Sequence, residues 1–502
     1  MKIKIYLMIK KYLLLPVTVI ICILFCSSYK EEKKTAAPSH FVSIKNGHFS
    51  LDDKEFFPLT INYKVSMLHS GGKFYPAPYN GYYPDINLIS RNPDSCKNDL
   101  LKDFMWIKEL GYNSMRIVGI GEEVIEDYSN GKLAVSACCN ENNNQSTYEL
   151  NESTYQEYYS ALATVFKLAE QAGLKIILLV RLHPNYSTTE THFAKLAKHF
   201  STTTTLMAYD IFNEPLYFDT LEREKKDIYE LVKRWQKIKN DNAPNQLSTI
   251  GMTGVREVIE WDPNIMSVDF LSFHPYEYEP NQVMSEIFWY GKHVKVPWMI
   301  GETGVPADND SISYDVQKNF ADKTLYQTFN CGGIGYSWWQ FRDVKWLDFH
   351  QDFLGVVSRD GITKLKDGSV VHGTAKPMND VIKSFEIPKT KGECVQPDNY
   401  YNYSRNTYFK LTGKLTDAKG TPIEGGIILA WSEDWTQLYH TVSKQDGSFE
   451  LFSQFPFYHW KASATEYSMV RGDVNMTQVV TDQSKNTKKA DLGNLTLSPL
   501  GF

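Results

Sequence analysis

Two glutamates stand at the ends of apolar runs, where a carboxylate is not expected. Glu214 follows the run in "YDIFNEPLYF", within Asn213-Glu214-Pro215, and Glu302 follows the run in "VPWMIGETGV". Burial of an ionised carboxylate is costly unless the group is paired. Two carboxylates that flank a glycosidic bond can hydrolyse it, because one protonates the leaving group while the other, ionised, attacks the anomeric carbon. The pair therefore predicts a site for glycoside hydrolysis.

The elements that would position these glutamates are strands that alternate with amphipathic helices. The predicted strands lie near residues 60, 116, 178, 209, 249, 270, 299 and 336. Uninterrupted apolar runs are typical of a parallel sheet buried on both faces. Eight βα units over about 340 residues predict an α/β fold, a (β/α)8 TIM barrel with long loops. The competing architecture is a doubly wound open sheet, which the lack of a Gly-rich phosphate loop after the first strand disfavours.

A (β/α)8 barrel carries its site at the C-terminal ends of the strands. Polar and aromatic residues collect at these ends: Asn62, Tyr63, Arg116, His183, Asn213, Glu214, His274, Tyr276, Glu302, Trp338 and Trp339. Glu214 and Glu302 are 302 − 214 = 88 residues apart. This separation corresponds to three βα units and places them at strands four and seven, across the barrel mouth. Neighbouring strand residues point opposite ways, so only one of Trp338 and Trp339 faces the site, and we favour Trp339.

A family resemblance rests on these same motifs. Asn213-Glu214-Pro215 after strand four and Glu302 in "IGETG" after strand seven resemble the retaining glycosidases of the glycoside hydrolase A clan. Arg116, His183 in "RLHPN" and the "FHPY" stretch after strand six are further similar to glycoside hydrolase family 5, the cellulase-like family, over about residues 41–388. The resemblance implies that Glu214 is the general acid/base. It also implies that Glu302 is the nucleophile, forming a covalent glycosyl-enzyme intermediate.

The resemblance also implies a set of substrate-binding residues. They are Asn213 to bind the sugar 2-hydroxyl, Arg116 and Tyr276 to donate to Glu302, His183 and His274 to bind hydroxyls or tune Glu214, and Trp339 or Trp338 to stack under the sugar ring. Lowering the pKa of one carboxylate and raising that of the other would separate their roles. No cofactor is expected, and the sequence has no CxxC pair or HExxH motif that would indicate a metal site.

Composition narrows the class of ligand without naming the substrate. The net charge is −6 and aromatic residues make up 14% of the chain, which disfavours a nucleic-acid partner and suits a neutral, ring-shaped carbohydrate. β-Mannan, β-glucan and decorated glycans all stay open, as does endo or exo action. Two rivals also stay open: a catalytically inactive surface glycan-binding lipoprotein, and a metal-dependent barrel hydrolase that uses His183, His274 and a carboxylate.

The N-terminus predicts export. Residues 1–26 have a Lys-rich start and an apolar run from Tyr12 to Phe25, which is typical of a signal peptide. The run ends at Cys26, so the segment looks like a bacterial lipoprotein signal with Cys26 lipidated, although Phe25 departs from the small residue such signals prefer. An uncleaved N-terminal anchor is the alternative. The expected location is the cell surface or the periplasm of a bacterium, with residues 27–40 as a linker.

The composition and the predicted secondary structure of the chain change after residue 388. Residues 389–406 are polar and predict a linker, and residues 407–502 show short alternating strands that predict a small β-sandwich. This part resembles carboxypeptidase regulatory-like modules through Gly413, Asp417–Pro422 and Asp446–Phe449. Its Trp431 and Trp435 could form a sugar-stacking platform or simply pack inside a spacer.

The cysteines leave their pairing open. Beyond the signal peptide they are Cys96, Cys138, Cys139, Cys331 and Cys394, and five cannot all pair. One of the adjacent Cys138 and Cys139 is a candidate to bridge to Cys96.

Overall fold

The computed structural model describes residues 40–83, 92–127, 131–138, 145–345, 348–402, 404–482 and 487–502. The predicted signal peptide with Cys26, and all but the last residue of the predicted linker 27–40, lie outside this part of the chain. Residues 41–502 form one compact unit. No helix among the described residues is long and apolar enough to cross a membrane.

The predicted apolar runs form the parallel strands of one sheet. In chain order the strands of the first part of the chain are β1 (Ser43–Lys45), β2 (His48–Leu51), β3 (Lys54–Glu55), β4 (Leu59–Ser70), β5 (Lys73–Pro78), β6 (Ser114–Gly119), β7 (Ile125–Asp127), β8 (Leu133–Ala137), β9 (Ser146–Glu149), β10 (Lys175–Leu179), β11 (Leu206–Asn213), β12 (Leu247–Met252), β13 (Leu271–Phe273), β14 (Trp298–Ile300), β15 (Tyr336–Trp338), β16 (Val357–Lys364) and β17 (Val370–Ala375). The strand order β14-β13-β12-β11-β10-β6-β4-β15 is parallel throughout. Burial on both faces explains why these strands carry apolar runs without alternation.

The two ends of this sheet meet. The backbone N–H of Ile300 in β14 donates to Gly335 O at 3.2 Å, and the N–H of Ile334 donates to Trp298 O at 2.8 Å. These bonds join β14 to β15 and close the sheet into a barrel. The predicted (β/α)8 barrel is confirmed.

Helices follow the strands, and the long ones cover the outside of the barrel. They are α1 (Pro93–Glu109), α2 (Glu152–Ala172), α3 (Ser187–His199), α4 (Pro215–Phe218), α5 (Lys225–Asn242), α6 (Gln282–His293), α7 (Tyr314–Asn330), α8 (Phe349–Asp352) and α9 (Asn379–Ser384). Local signals set their ends: the Asn92 side chain caps α1 by accepting from the N–H groups of Asp94 and Ser95, and Gly173 ends α2 in the left-handed conformation at φ 67°. Between β12 and β13 the crossover consists of 3-10 turns, Val255–Ile259 and Pro263–Ile265.

Two segments that the sequence assigned to long loops are partly strands. β4 does not end near Tyr63 but runs on to Ser70 and pairs with β5 as an antiparallel hairpin. After β6, strands β7, β8 and β9 form a small antiparallel sheet. The outer part of β4 alternates between buried and less buried residues, which is the pattern of a strand with one solvated face.

The C-terminal region contains two four-stranded sheets. Its strands are β18 (Phe409–Asp417), β19 (Ile427–Trp431), β20 (Leu438–Val442), β21 (Ser448–Ser453), β22 (His459–Ser463), β23 (Val470–Asp473), β24 (Val480–Asp482) and β25 (Thr487–Leu497). One sheet has the order β21-β18-β25-β24 and the other β20-β19-β22-β23. Alternate residues of the strands build its apolar clusters, such as Leu415, Phe449 and Leu497. The predicted all-β sandwich agrees with this arrangement.

The segment predicted as a linker, 389–406, is attached to the barrel. A disulfide joins Cys394 to Cys331 at the C-terminal end of α7, and Gln327 Nε2 donates to Val395 O at 2.7 Å. The candidate bridge to Cys96 is wrong. Cys96 is a buried thiol whose pKa burial raises to about 12, whereas Cys138 belongs to a disulfide.

The sandwich packs against the barrel through buried polar contacts. Lys225 Nζ, at the start of α5, donates to Asp262 Oδ2 and to Ala464 O, both at 2.9 Å. Trp289 Nε1, on α6, donates to Gly425 O at 2.8 Å. A buried ammonium needs hydrogen-bond partners, and Lys225 takes them from both domains. The buried interior is therefore continuous across the boundary between the two domains.

Candidate active site

A cavity of about 1020 Å³ opens at the C-terminal ends of the barrel strands. Predicted site residues line it together: His183, Asn213, Glu214, His274, Tyr276, Glu302 and Trp339. Three barrel strands, β11, β13 and β14, or the segments directly after them supply Asn213, Glu214, His274 and Glu302. The barrel therefore brings to one place side chains that are far apart in the sequence.

Glu214 occupies a sharp turn at the end of β11. Its backbone N–H donates to Gly251 O at 2.7 Å, which ties it to β12. Its φ of 46° is left-handed, a conformation that costs a non-glycine residue roughly 1–2 kcal/mol. The turn takes the chain directly from β11 into α4, which begins at Pro215. Burial raises the pKa of Glu214, and the charges of Arg116 and Arg256 oppose that rise.

Glu302 follows β14 and accepts two hydrogen bonds, one on each oxygen. Arg116 Nη1 lies 2.5 Å from Oε1, and the Tyr276 hydroxyl donates to Oε2 at 2.9 Å. Burial raises the pKa of Glu302, while His274, Arg116 and the Tyr276 hydroxyl act in the opposite direction. Glu302 is buried and Glu214 is partly buried. Among the described residues, only Glu302 of the two accepts hydrogen bonds from a guanidinium and a phenol, and these donors favour its ionised form.

Arg116 lies beneath the cavity and does not line it. The side chain is 1% exposed, in the middle of β6. Its Nε donates to Asp210 at 2.8 Å, and its Nη2 donates to Asn213 Oδ1 at 2.7 Å. Asn62 Oδ1 accepts from Nη1 at 3.0 Å. Arg116 thus donates to Glu302, as predicted, and holds Glu302 and Asn213 in place from below the cavity, although it was grouped with the residues that bind substrate.

His274 lies between the two carboxylates. Its Nδ1 is 3.0 Å from Glu214 Oε1 and 3.6 Å from Glu302 Oε1. Burial lowers its pKa to about 4, so the imidazole is neutral at pH 7. The ring fits because Gly251 and Gly301 have no side chain. A Cβ at Gly301 would lie 2.8 Å from His274 Nε2 and 1.8 Å from Ser272 Oγ.

The side-chain atoms of Glu214, His274 and Glu302 that could bind a cation all lie within 4.8 Å of one another. A carboxylate pair this close matches retaining glycosidases, whose carboxyl groups are about 5–5.5 Å apart. The same three groups could in principle hold a metal ion. Since Arg116 and Tyr276 already donate to both oxygens of Glu302, the donors present favour a carboxylate pair over a metal centre.

The remaining predicted residues differ in whether they line the cavity. His183 lines the cavity, its Nδ1 accepts from the N–H of Asn185 at 3.2 Å, and burial lowers its pKa. It is not one of the groups that shift the pKa of Glu214. Trp339 lines the cavity. Trp338 does not: it is 0% exposed and its Nε1 donates to Leu354 O at 2.8 Å, so its ring belongs to the core.

Several residues of the site were not found from the sequence. Asp210, which is 0% exposed, accepts a hydrogen bond from Arg116 and anchors it. The position of the Asp210 carboxylate inside an apolar strand was a signal that could have revealed this residue. Glu122 lines the cavity, accepts from the N–H of Gly119 at 2.9 Å, and has its pKa raised by burial to about 8. Arg256 also lines the cavity. Glu122 lies in a turn after β6 and Arg256 in the 3-10 turn Val255–Ile259, where no local pattern marks a contribution to a site.

Comparison with known proteins adds a family to this geometry. Residues 101–344 match the family model described as Cellulase (glycosyl hydrolase family 5). No curated protein matches the chain. The fold is similar to a β-D-glucuronidase of Dictyoglomus thermophilum, with TM-score 0.43 and 14% identity over 68% of this chain and 52% of that one.

Two further solved structures are similar to the chain, with TM-scores and sequence identities close to these. An endo-1,4-β-mannanase from Rhizomucor miehei has TM-score 0.41 and 14% identity over 60% of this chain and 90% of that chain. An endo-1,4-β-mannanase from Eisenia fetida has TM-score 0.40 and 14% identity over the same shares. The chain spans about half the length of the glucuronidases it matches, 52% and 51% for two of them. By this match, residues 101–344 are similar to a glycosyl hydrolase family 5 domain.

Proposed function

We propose that the protein is a retaining glycoside hydrolase that cleaves β-linked bonds in oligo- or polysaccharides of the β-mannan or β-glucan type. The observation that carries the proposal is the approach of the Glu214 and Glu302 side chains to within 4.8 Å. Inverting enzymes need roughly 6.5–9.5 Å between their carboxyl groups to admit a water molecule. The spacing here supports direct attack by one carboxylate.

The proposed reaction has two steps. Glu302 attacks the anomeric carbon, and Glu214 gives its proton to the departing glycosidic oxygen, so that one C–O bond forms as another breaks. Water then attacks the glycosyl ester, gives a proton to Glu214 and releases Glu302 as a carboxylate. Ester formation removes the negative charge of Glu302, which lowers the pKa of Glu214 and prepares it to act as a base.

The surrounding residues have distinct tasks in this reaction. Arg116 and Tyr276 keep Glu302 ionised and oriented through their hydrogen bonds. Asn213 accepts from Arg116 through Oδ1, so its amide N–H₂ is the group left to donate to a sugar 2-hydroxyl. Neutral His274 orients Glu214 from 3.0 Å. Trp339 offers a ring for stacking against the sugar.

The test measures the stereochemistry of the product. Aryl β-glycosides, soluble galactomannan and mixed-linkage β-glucan are incubated with the wild type, Glu302→Gln and Glu214→Ala, and the anomer released first is identified by ¹H NMR. We expect the β-anomer, and a loss of kcat of roughly 10⁴-fold or more in Glu302→Gln. An α-anomer would mean inversion. Turnover that survives Glu302→Gln would show that the nucleophile is another residue.

Two other outcomes would change the class of protein. Binding of a polysaccharide with no turnover on any substrate would identify a glycan-binding protein. The cluster of Glu214, His274 and Glu302 also keeps a metal-dependent hydrolase testable. We expect no loss of activity after dialysis against EDTA, and a loss that Zn²⁺ or Mn²⁺ restores would favour the metal mechanism.

We further propose that the chain is exported and anchored by a lipid on Cys26, on the strength of the Lys-rich start, the apolar run and the cysteine that ends it. Metabolic labelling with a radioactive fatty acid tests this proposal. The label is expected on the wild type and not on Cys26→Ser, and an unlabelled wild type in the membrane fraction would indicate an uncleaved anchor.

A further inference from the structure

Apolar side chains remain exposed along a path that leads from the catalytic cavity to the sandwich. These exposed residues are Leu216, Tyr217, Phe218, Leu221, Tyr278 and Trp435. Tyr217, Phe218 and Tyr278 line the cavity, and α4 carries the first two immediately after Glu214. Exposed apolar residues that form a contiguous group mark a binding surface more often than scattered ones do.

A groove of about 150 Å³ continues this path onto the sandwich, and we call it the interdomain groove. Leu216 and Leu221 line it from the barrel, and Trp431 and Lys461 line it from the sandwich. Arg256 lines both the cavity and the interdomain groove. The groove therefore adjoins the catalytic cavity at Arg256.

Trp435 adjoins this groove as a prepared aromatic platform. Its ring lies 5.3 Å from that of Trp431 and stacks on His459 at 4.0 Å with an angle of 8° between the planes. Asp473 fixes His459 by a 2.7 Å hydrogen bond. With His459 behind one face, Trp435 is still 53% exposed. A ring that only packed inside a spacer would be buried, so this exposure separates the two interpretations of Trp431 and Trp435.

The turn that presents Trp435 is held by its own hydrogen bonds. The Trp435 N–H donates to Ser432 O at 3.1 Å, and the Ser432 N–H donates to Gln437 O at 3.0 Å. A ligand would therefore lose little conformational freedom from the protein on binding. Lys461, paired with Glu222 at 2.9 Å and with Glu260 at 3.3 Å, supplies charged groups at the edge of the groove. A pyranose, which has apolar C–H faces and hydroxyl edges, matches aromatic rings bordered by polar groups.

The position relative to the glutamates identifies which part of a substrate would lie there. In the proposed reaction the sugar that stays bonds to Glu302, and the departing sugar takes a proton from Glu214. The departing sugar therefore lies on the Glu214 side. Because α4 follows Glu214 directly, the path over Tyr217 and Phe218 leads away from the leaving group.

We propose that the interdomain groove, with Trp431 and Trp435, binds the leaving-group end of a β-glycan chain. The catalytic barrel and the sandwich then form one continuous binding surface for a polysaccharide. The assignment of the leaving-group end rests on the proposed retaining reaction, whereas binding of the chain at the groove does not. This role favours cleavage within a chain, because the chain must extend beyond the cut and past α4 to reach Trp435.

The test compares long and short substrates. Trp435→Ala is measured on soluble galactomannan, mixed-linkage β-glucan and a 4-nitrophenyl β-glycoside. We expect the ratio of kcat/KM for polymer to that for the aryl glycoside to fall about tenfold, the effect of losing one aromatic contact. The matched control is Tyr408→Ala, an exposed aromatic next to β18 in the other sheet, which should leave the ratio as in the wild type. An unchanged ratio in Trp435→Ala would refute the proposal that the interdomain groove binds the glycan chain.

Binding is measured separately in the Glu302→Gln background by affinity electrophoresis in gels that contain each polymer. Retardation that Trp435→Ala abolishes and Tyr408→Ala keeps supports the groove even where turnover fails, so the two proposals fail independently. A protein that neither binds nor cleaves any polymer, yet hydrolyses the aryl glycoside, would overturn the groove and leave the hydrolase standing.

Discussion

Nη1 of Arg116 lies 2.5 Å from Oε1 of Glu302, and both groups are almost completely buried. Asp210 pairs with the same guanidinium from the opposite direction at 2.8 Å. One buried cation therefore pairs with two carboxylates, Asp210 and the proposed nucleophile Glu302. Burial of the pair is tolerable because each charged group has partners with good geometry. Burial raises the pKa of Glu302, and the Arg116 guanidinium opposes that rise.

Removal of the second donor to Glu302 should shift the acid limb of the pH profile. Tyr276→Phe keeps the ring and deletes the hydroxyl that stabilises the carboxylate, so the pKa of Glu302 rises. In the proposed reaction Glu302 attacks as a carboxylate, so the acid limb of kcat/KM should move to higher pH by roughly one unit. Tyr278→Phe, in the same cavity, is the control. A Tyr276→Phe profile that coincides with the wild type would remove Tyr276 from this role.

Removal of the Arg256 charge should shift the alkaline limb of the pH profile. This cation lowers the pKa of Glu214, which must be protonated to act as an acid. Arg256→Gln removes the charge, raises that pKa and should extend activity to higher pH, by a few tenths of a unit to about one unit. Arg181→Gln changes another arginine that lines the cavity but does not shift the pKa of Glu214, so its alkaline limb should stay in place. A shift to lower pH in Arg256→Gln would contradict the assignment of Glu214.

Gly301→Ala should damage the site through lack of space. The new Cβ would lie 1.8 Å from Ser272 Oγ and 2.8 Å from His274 Nε2, and both residues are buried. We expect a loss of roughly 1–3 kcal/mol in the free energy of unfolding, measured in urea, together with a fall in kcat as His274 moves from Glu214. Gly501→Ala, with nothing within 4 Å of its Cβ, is the control. Wild-type stability in Gly301→Ala would show that this packing is loose.

The Cys331–Cys394 disulfide should contribute substantially to stability. It links residues 63 apart in sequence, and restriction of an unfolded loop of that length amounts to about 4 kcal/mol. Cys394→Ser should lower the urea midpoint accordingly when both proteins are kept oxidised. The double variant Cys331→Ser with Cys394→Ser should lose little more, since both changes break the same bond. Additive losses would mean that the cysteines contribute through packing instead.

Sequence patterns predicted the barrel well because uninterrupted apolar strands that alternate with amphipathic helices are compatible with few folds besides a parallel α/β one. The positions of Glu214 and Glu302 followed from the strand count. Alternation along β15 also predicted that one of two adjacent tryptophans faces the cavity, and the structure places Trp339 there and Trp338 in the core.

Features that depend on contacts between distant segments could not be predicted in this way. The pairing of Cys331 with Cys394 depends on where the segment after residue 388 meets α7. The turn residues Glu122 and Arg256 reach the cavity only through the barrel geometry. Arg116 seemed to end a strand, whereas β6 continues to Gly119, so its side chain lies below the cavity and not at its surface.

The contact between Lys225, Asp262 and Ala464 O has a consequence for how this chain can change during evolution. A domain can be exchanged between proteins at a linker when each of the two joined domains keeps its own buried interior. Here, loss of the C-terminal domain would remove the Ala464 carbonyl that Lys225 contacts and the Gly425 carbonyl that accepts from Trp289. A chain shortened at residue 388 would leave the Lys225 ammonium and the Trp289 indole N–H without these acceptors, so the barrel is not a module that can be moved alone without a change at this boundary.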